Sequence, residues 1–169
     1  MDKVERLMEA FSAQPTAPIY RKLDVLLDLE QLRDPRSLPF LLKVLRDRKE
    51  PLEVRMRVIR LLRLVRCPGD ARNAVGRELS ELLVDRGSSD LRVPAALTLA
   101  EFTELSGVAS ALGAVALDPS EALDLRYSAF TSLERVGPTT DCAALLRQLA
   151  QDEALGPSAR TLLARWQLA

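Results

Sequence analysis

The chain has 169 residues, of which 47% are hydrophobic, 28% charged and 4% aromatic, the balance of a folded globular domain rather than a disordered or membrane-spanning chain. Its 24 Lys and Arg offset 24 Asp and Glu, and histidine is absent, which removes the commonest general base, proton switch and zinc ligand together. Cys67 and Cys142 are too few for a structural zinc site and read as small buried apolar residues. The start, Met1-Asp2-Lys3-Val4-Glu5-Arg6, leads into no apolar run of signal-peptide length, and no stretch reaches the roughly 20 apolar residues of a membrane span. A cytoplasmic protein is the expectation.

In chain order, Val4, Leu7, Met8 and Phe11 share one face of a helix predicted over residues 2–13. Residues 18–32 follow with Val25, Leu26, Leu29 and Leu32, then 35–47 with Leu38, Leu41, Leu42 and Leu45. The spacing next predicts helices over 51–66, 70–86, 90–106, 107–117, 121–136, 139–152 and 156–168. Pro-, Gly- and Asp-containing turns separate them, as at Asp34-Pro35, Glu50-Pro51, Asp118-Pro119 and Gly137-Pro138. Pro94 fits best in a first turn capped by Ser89 or Asp90. No segment alternates with a strand's period, so the fold class is all-α.

The even-numbered helices repeat one pattern: a basic residue, then apolar residues three, four, seven and ten positions on. Arg55 is followed by Val58, Ile59, Leu62 and Val65; Arg126 by Ala129, Phe130, Leu133 and Val136. Lys22, Arg55, Arg92, Arg126 and Arg160 recur at intervals of 33, 37, 34 and 34, which marks a repeat. The predicted organisation is a single domain of five units, about 1–33, 34–68, 69–106, 107–137 and 138–169, each one helical pair.

The segment Asp34-Pro35-Arg36-Ser37-Leu38-Pro39-Phe40-Leu41-Leu42, with Asp47, Val54-Arg55 and Val58-Ile59 after it, resembles a HEAT repeat. The family pattern has a Pro in the first helix, an Asp in the turn and a Val-Arg pair opening the second helix. The resemblance covers nearly the whole chain and is best in the second unit; the first has Gln14 in place of the turn Asp and Lys22 in place of Arg. It implies a right-handed α-solenoid of about five antiparallel helix pairs, a HEAT-like superhelix of the short bacterial kind. It also implies that Asp47, Asp85, Asp118 and Asp152, with Arg55, Arg92, Arg126 and Arg160, form a structural ladder between repeats.

No glycine-rich phosphate loop, metal-ligand cluster or nucleophile–base pairing is present, so no enzyme, catalytic residue, metal or cofactor is expected. Charge is uneven: residues 31–72 hold 12 Lys and Arg against 5 Asp and Glu, while 73–169 hold 8 against 13. In the helix 51–66, Arg57, Arg60, Leu61 and Leu64 lie away from the core stripe. Their equivalents include Leu97 and Glu101, Thr131 and Arg135, and Trp166. HEAT-like stacks line a concave surface with second helices, so these nine residues form the candidate partner site. The expected partner is another protein offering an acidic and apolar helix or extended segment. Nucleic-acid binding by the basic second unit is the alternative, weakened by zero net charge and the absence of interleaved aromatics.

Overall fold

A computed structural model describes residues 1–168. The described residues form ten α-helices and no strand. They are α1 (Lys3–Ala13), α2 (Ile19–Leu32), α3 (Leu38–Arg46), α4 (Leu52–Leu64), α5 (Gly69–Val84), α6 (Ser89–Thr98), α7 (Val108–Leu117), α8 (Leu123–Glu134), α9 (Thr140–Leu149) and α10 (Gly156–Arg165). Each corresponds to one of the ten predicted segments. The ends are trimmed where turn chemistry competes with the helix.

Local signals start and stop these helices. Asp2 caps α1 by accepting from the Glu5 N–H at 3.0 Å, and the Glu5 carboxylate accepts from the Asp2 N–H at 2.9 Å, a reciprocal box. Pro18 and Pro51 precede α2 and α4, where a missing N–H costs nothing. Thr139 caps α9 through the Cys142 N–H. Three turns tighten into 3-10 geometry, at Pro35–Ser37, Arg86–Ser88 and Leu99–Phe102. Arg33 ends α2 in the left-handed region at φ 49°, and its N–H returns to the Leu29 carbonyl.

Pro94 departs from expectation. It is the sixth residue of α6, beyond the first turn, because the helix starts at Ser89 itself. The ring removes the bond that would reach the Asp90 carbonyl, but Asp90 is exposed and water can take that acceptor. Beyond Thr98 the chain continues as 3-10 helix.

The chain divides into two compact units within α5: Met1–Glu78, and Leu79 to the end of the described residues. In the first, α1 packs on α2, α3 on α4, and the second helices α2 and α4 lie side by side. Leu26, Leu29, Leu41, Leu45, Val54, Val58, Ile59 and Leu62 fill its core, with the Phe11 and Phe40 rings edge to face at 5.3 Å. In the second unit, α7 packs on α8 and α9 on α10, α6 lies beside α8, and α7 beside α9. Leu99, Phe102, Leu112, Ala129, Leu133, Leu146 and Ala159 are buried there.

Gly113 makes the α7–α9 approach possible: a Cβ there would lie 2.7 and 2.8 Å from the two Leu145 methyl carbons. Overpacking of this kind costs about 1–3 kcal/mol. Gly113→Val should therefore lower stability in urea unfolding, and adding Leu145→Ala should restore part of the loss. Equal losses in the single and double variants would show that this contact is not the cause.

Candidate functional site

Two sets of side chains recur from pair to pair, one inside and one outside. The inner set begins with the basic residue of each second helix. Arg55 Nε donates to the Leu45 carbonyl at 2.8 Å, Arg92 Nε to Leu83 at 2.8 Å, and Arg126 Nε to Ala116 at 2.9 Å. Arg160 donates through Nη1 to the Ala150 carbonyl at 2.6 Å. Each acceptor lies in or just after the last turn of the preceding helix, where carbonyls lack an intrahelical donor. A guanidinium can cap that carbonyl with one edge and hold a carboxylate with the other.

The carboxylate comes from the turn of the next pair. Arg92 grips Glu121 in a two-pronged pair at 2.7 and 2.8 Å, and Arg126 bonds Asp152. Lys22, almost wholly buried, donates to Glu50 at 2.6 Å and sits 5.1 Å from the centre of the Phe11 ring. A lysine lacks the planar fork, so Glu50 is its one hydrogen-bond partner among the described residues.

The ladder expectation needs correcting at Asp47 and Asp118. Asp47, Asp85 and Asp118 each turn inward on their own loops, accepting from the N–H groups of Lys49, Gly87 and Ser120 at 2.9–3.0 Å. Short side chains at the first position of a tight turn reach the N–H two residues on more easily than a neighbouring helix. The carboxylates that meet Lys22 and Arg92 are Glu50 and Glu121, each three residues after the turn aspartate. Asp152 does both jobs, accepting from Ala154 and Leu155 as well as Arg126. Arg160, in the last pair, is exposed. The recurring Asp-x-x-Glu spacing at Asp47–Glu50 and Asp118–Glu121 was the available signal for the missed partners.

The outer set lies on the opposite side of the second helices. Counting from each basic residue, positions −3, +1, +5 and +9 are never buried. They are Ile19, Leu23, Leu27 and Gln31 on α2, and Leu52, Met56, Arg60 and Leu64 on α4. On α6 and just beyond it they are Ser89, Val93, Leu97 and Glu101, and on and just after α8 they are Leu123, Tyr127, Thr131 and Arg135. Of the eleven large hydrophobic residues that are exposed, nine lie on α2, α4, α6 and α8. Arg60 forms no hydrogen bond or ion pair among the described residues.

Leu61 does not belong to this face. It is 0% exposed, and its equivalents Thr98 and Ser132 are buried as well. The position lies on the flank where one second helix meets the next: Ser132 Oγ donates to the Ala96 carbonyl of α6 at 2.6 Å. Arg57 is also drawn to that flank, half-buried and 3.7 Å from Glu30 of α2. The true outer sector is rotated by roughly 70° from the expected one at 3.6 residues per turn. Leu64, Leu97, Arg60 and Thr131 are exposed as expected, whereas Trp166 is half-buried at the end of α10. Glu101 and Arg135 approach each other at 3.5 Å on the surface. Ile19, Leu52, Met56, Leu123 and Tyr127 are the residues that sequence reasoning missed.

A cavity of about 310 Å³ opens beside α1 and α2, lined by Ala10, Phe11, Ala13, Ala17, Arg21 and Val25 among others. No group of three metal-ligating side chains occurs among the described residues, and no helix there is long and apolar enough to cross a membrane.

The inner set is open to test. Arg92 holds the Glu121 carboxyl below its ordinary range, and the Leu155 N–H with Arg126 does the same for Asp152. A folded-state value below the unfolded one means stabilisation that is complete above the unfolded carboxyl range, about pH 4–4.5, and lost as pH falls through the folded values. Glu121→Gln and Asp152→Asn should each flatten the acid limb of a stability-versus-pH curve. Arg126→Ala should cost about 1.5–3 kcal/mol at neutral pH, because a carbonyl and a carboxylate lose their shared donor. No protein-family model and no curated protein matches the chain.

Proposed function

We propose that the chain is a short right-handed HEAT-like α-solenoid that works as a non-enzymatic protein-interaction module, a scaffold or adaptor. Its partner site is the outer face of the second helices, which in such a stack lines the concave side. The observation that carries this reading is the concentration of exposed apolar side chains there, eight of eleven large ones, on helices whose opposite sides are packed. Scattered apolar residues need no explanation, but a stripe repeated every four positions on adjacent helices marks a surface built for contact. Arg60 stands free among Leu27, Leu52, Met56 and Leu64. A partner segment with apolar anchors and a carboxylate satisfies both kinds of group.

The revised face changes which substitutions are informative. Met56→Asp and Arg60→Glu should each reduce capture of an acidic protein partner by more than about tenfold, with melting nearly unchanged because both side chains are exposed. Leu61→Asp should instead unfold the first unit, since it places an unpaired charge in a fully buried position. Capture from the native cell with the wild-type chain and each variant is the measurement. Proteins retained equally by all folded variants would sink the reading. Binding to random-sequence duplex DNA that falls steeply with salt and survives Met56→Asp would favour phosphate recognition by the basic second helix pair.

A further inference from the structure

The charges of this neutral chain are segregated between its two compact units. Residues 1–78 carry 17 Lys and Arg against 12 Asp and Glu, whereas residues 79–169 carry 7 against 12. Charged side chains also stand at the rims of the outer faces. In the first unit, Arg33, Arg60 and Arg66 are exposed near the C-terminal ends of α2 and α4, and none forms an ion pair among the described residues. In the second unit, Asp90 and Asp124 are exposed at the N-terminal ends of α6 and α8. Apolar residues lie between: Leu27, Met56 and Leu64 in the first unit, Leu97, Leu123 and Tyr127 in the second.

Two helical faces that meet antiparallel bring the C-terminal rim of one against the N-terminal rim of the other. Laid so, Arg33, Arg60 and Arg66 face Asp90 and Asp124, and the apolar stripes cover each other. At the opposite rim, Glu53 of α4 meets Arg135 and Arg165, all three exposed. We infer that a second copy of this chain is a partner for the outer face, the basic face of the first unit docking antiparallel on the acidic face of the second unit of another copy. Zero net charge leaves no long-range repulsion between copies, while the local patches attract. The inference rests on reading the outer face as an interaction surface and adds the identity of one occupant.

The full-length chain is followed by sedimentation velocity across the micromolar to millimolar range, with variants checked by thermal melting. The wild type should associate reversibly, and more weakly as salt is raised. The double variant Arg60→Glu/Arg66→Glu should weaken association by more than about tenfold, as should Asp90→Lys/Asp124→Lys, because each sets like charges against like. Mixing the two variants should restore association, since the acidified first-unit face of one then meets the basic second-unit face of the other. Met56→Asp should weaken association, and mixing it with Arg60→Glu/Arg66→Glu, altered on the same face, should not restore it. A wild type that stays a single chain throughout, or charge variants that do not rescue each other, overturns the inference. In that event retention of a foreign partner that depends on Met56 leaves the module reading intact; self-association without any foreign partner would do the reverse.

Discussion

A buried cation near the start of four second helices, Lys22, Arg55, Arg92 and Arg126, is the constraint on which the rest of the packing depends. Removing a guanidinium or ammonium from water costs several kcal/mol unless the charge finds hydrogen-bonded partners. Arg92 and Arg126 meet that condition with one edge on a helix-terminal carbonyl and the other on a carboxylate from the following turn. Each bond therefore joins three pieces of chain: a second helix, the end of its own first helix, and the next turn. The angle within a pair and the spacing to the next pair are set by the same planar group. Lys22 shows what changes when the fork is lost, for its single ammonium holds Glu50 and an aromatic face and leaves the helix-terminal carbonyl to other donors.

The inner cations also dictate what the outer face can be. With the core side given to leucines and one flank given to the neighbouring second helix, each second helix has a narrow sector left for solvent. Serine and threonine at the flank, Ser132 and Thr98, allow close approach, and Ser132 contributes a bond to the Ala96 carbonyl. What remains is the stripe at every fourth residue. Its apolar side chains keep a large exposed part outside the packing of either unit, which is why an intermolecular role is the physical reading. The charges at the rims then distinguish the two stripes, with Arg33, Arg60 and Arg66 at one end of the first and Asp90 and Asp124 at one end of the second.

The inner ladder was half legible in the residues. The basic positions announced themselves by recurring at near-constant intervals, and the apolar residues three, four, seven and ten positions on turned out to be core, apart from half-buried Val25, Leu32 and Val136 and exposed Ala164. Asp47 and Asp118 misled because a regular aspartate can serve its own turn as readily as a neighbour. Nothing local distinguishes the two; the distance from the incoming arginine does, and it favoured the longer Glu121, as the matching distance to Lys22 favoured Glu50.

Alone, the sequence determined that the chain is helical and where ten helices begin and end to within about three residues, apart from the end of the helix predicted over 90–106, which stops at Thr98. Those features depend on spacing, capping and turn residues, all of which act over fewer than about five positions. Tertiary structure decided the rest. Leu61 and Met56 are both apolar residues off the core stripe of α4, yet one is fully buried and the other exposed. The difference arises from which side the adjacent second helix occupies, a contact between residues more than thirty positions apart in the sequence. A single-helix pattern contains no record of that neighbour, so the direction of the free face had to come from the packing itself.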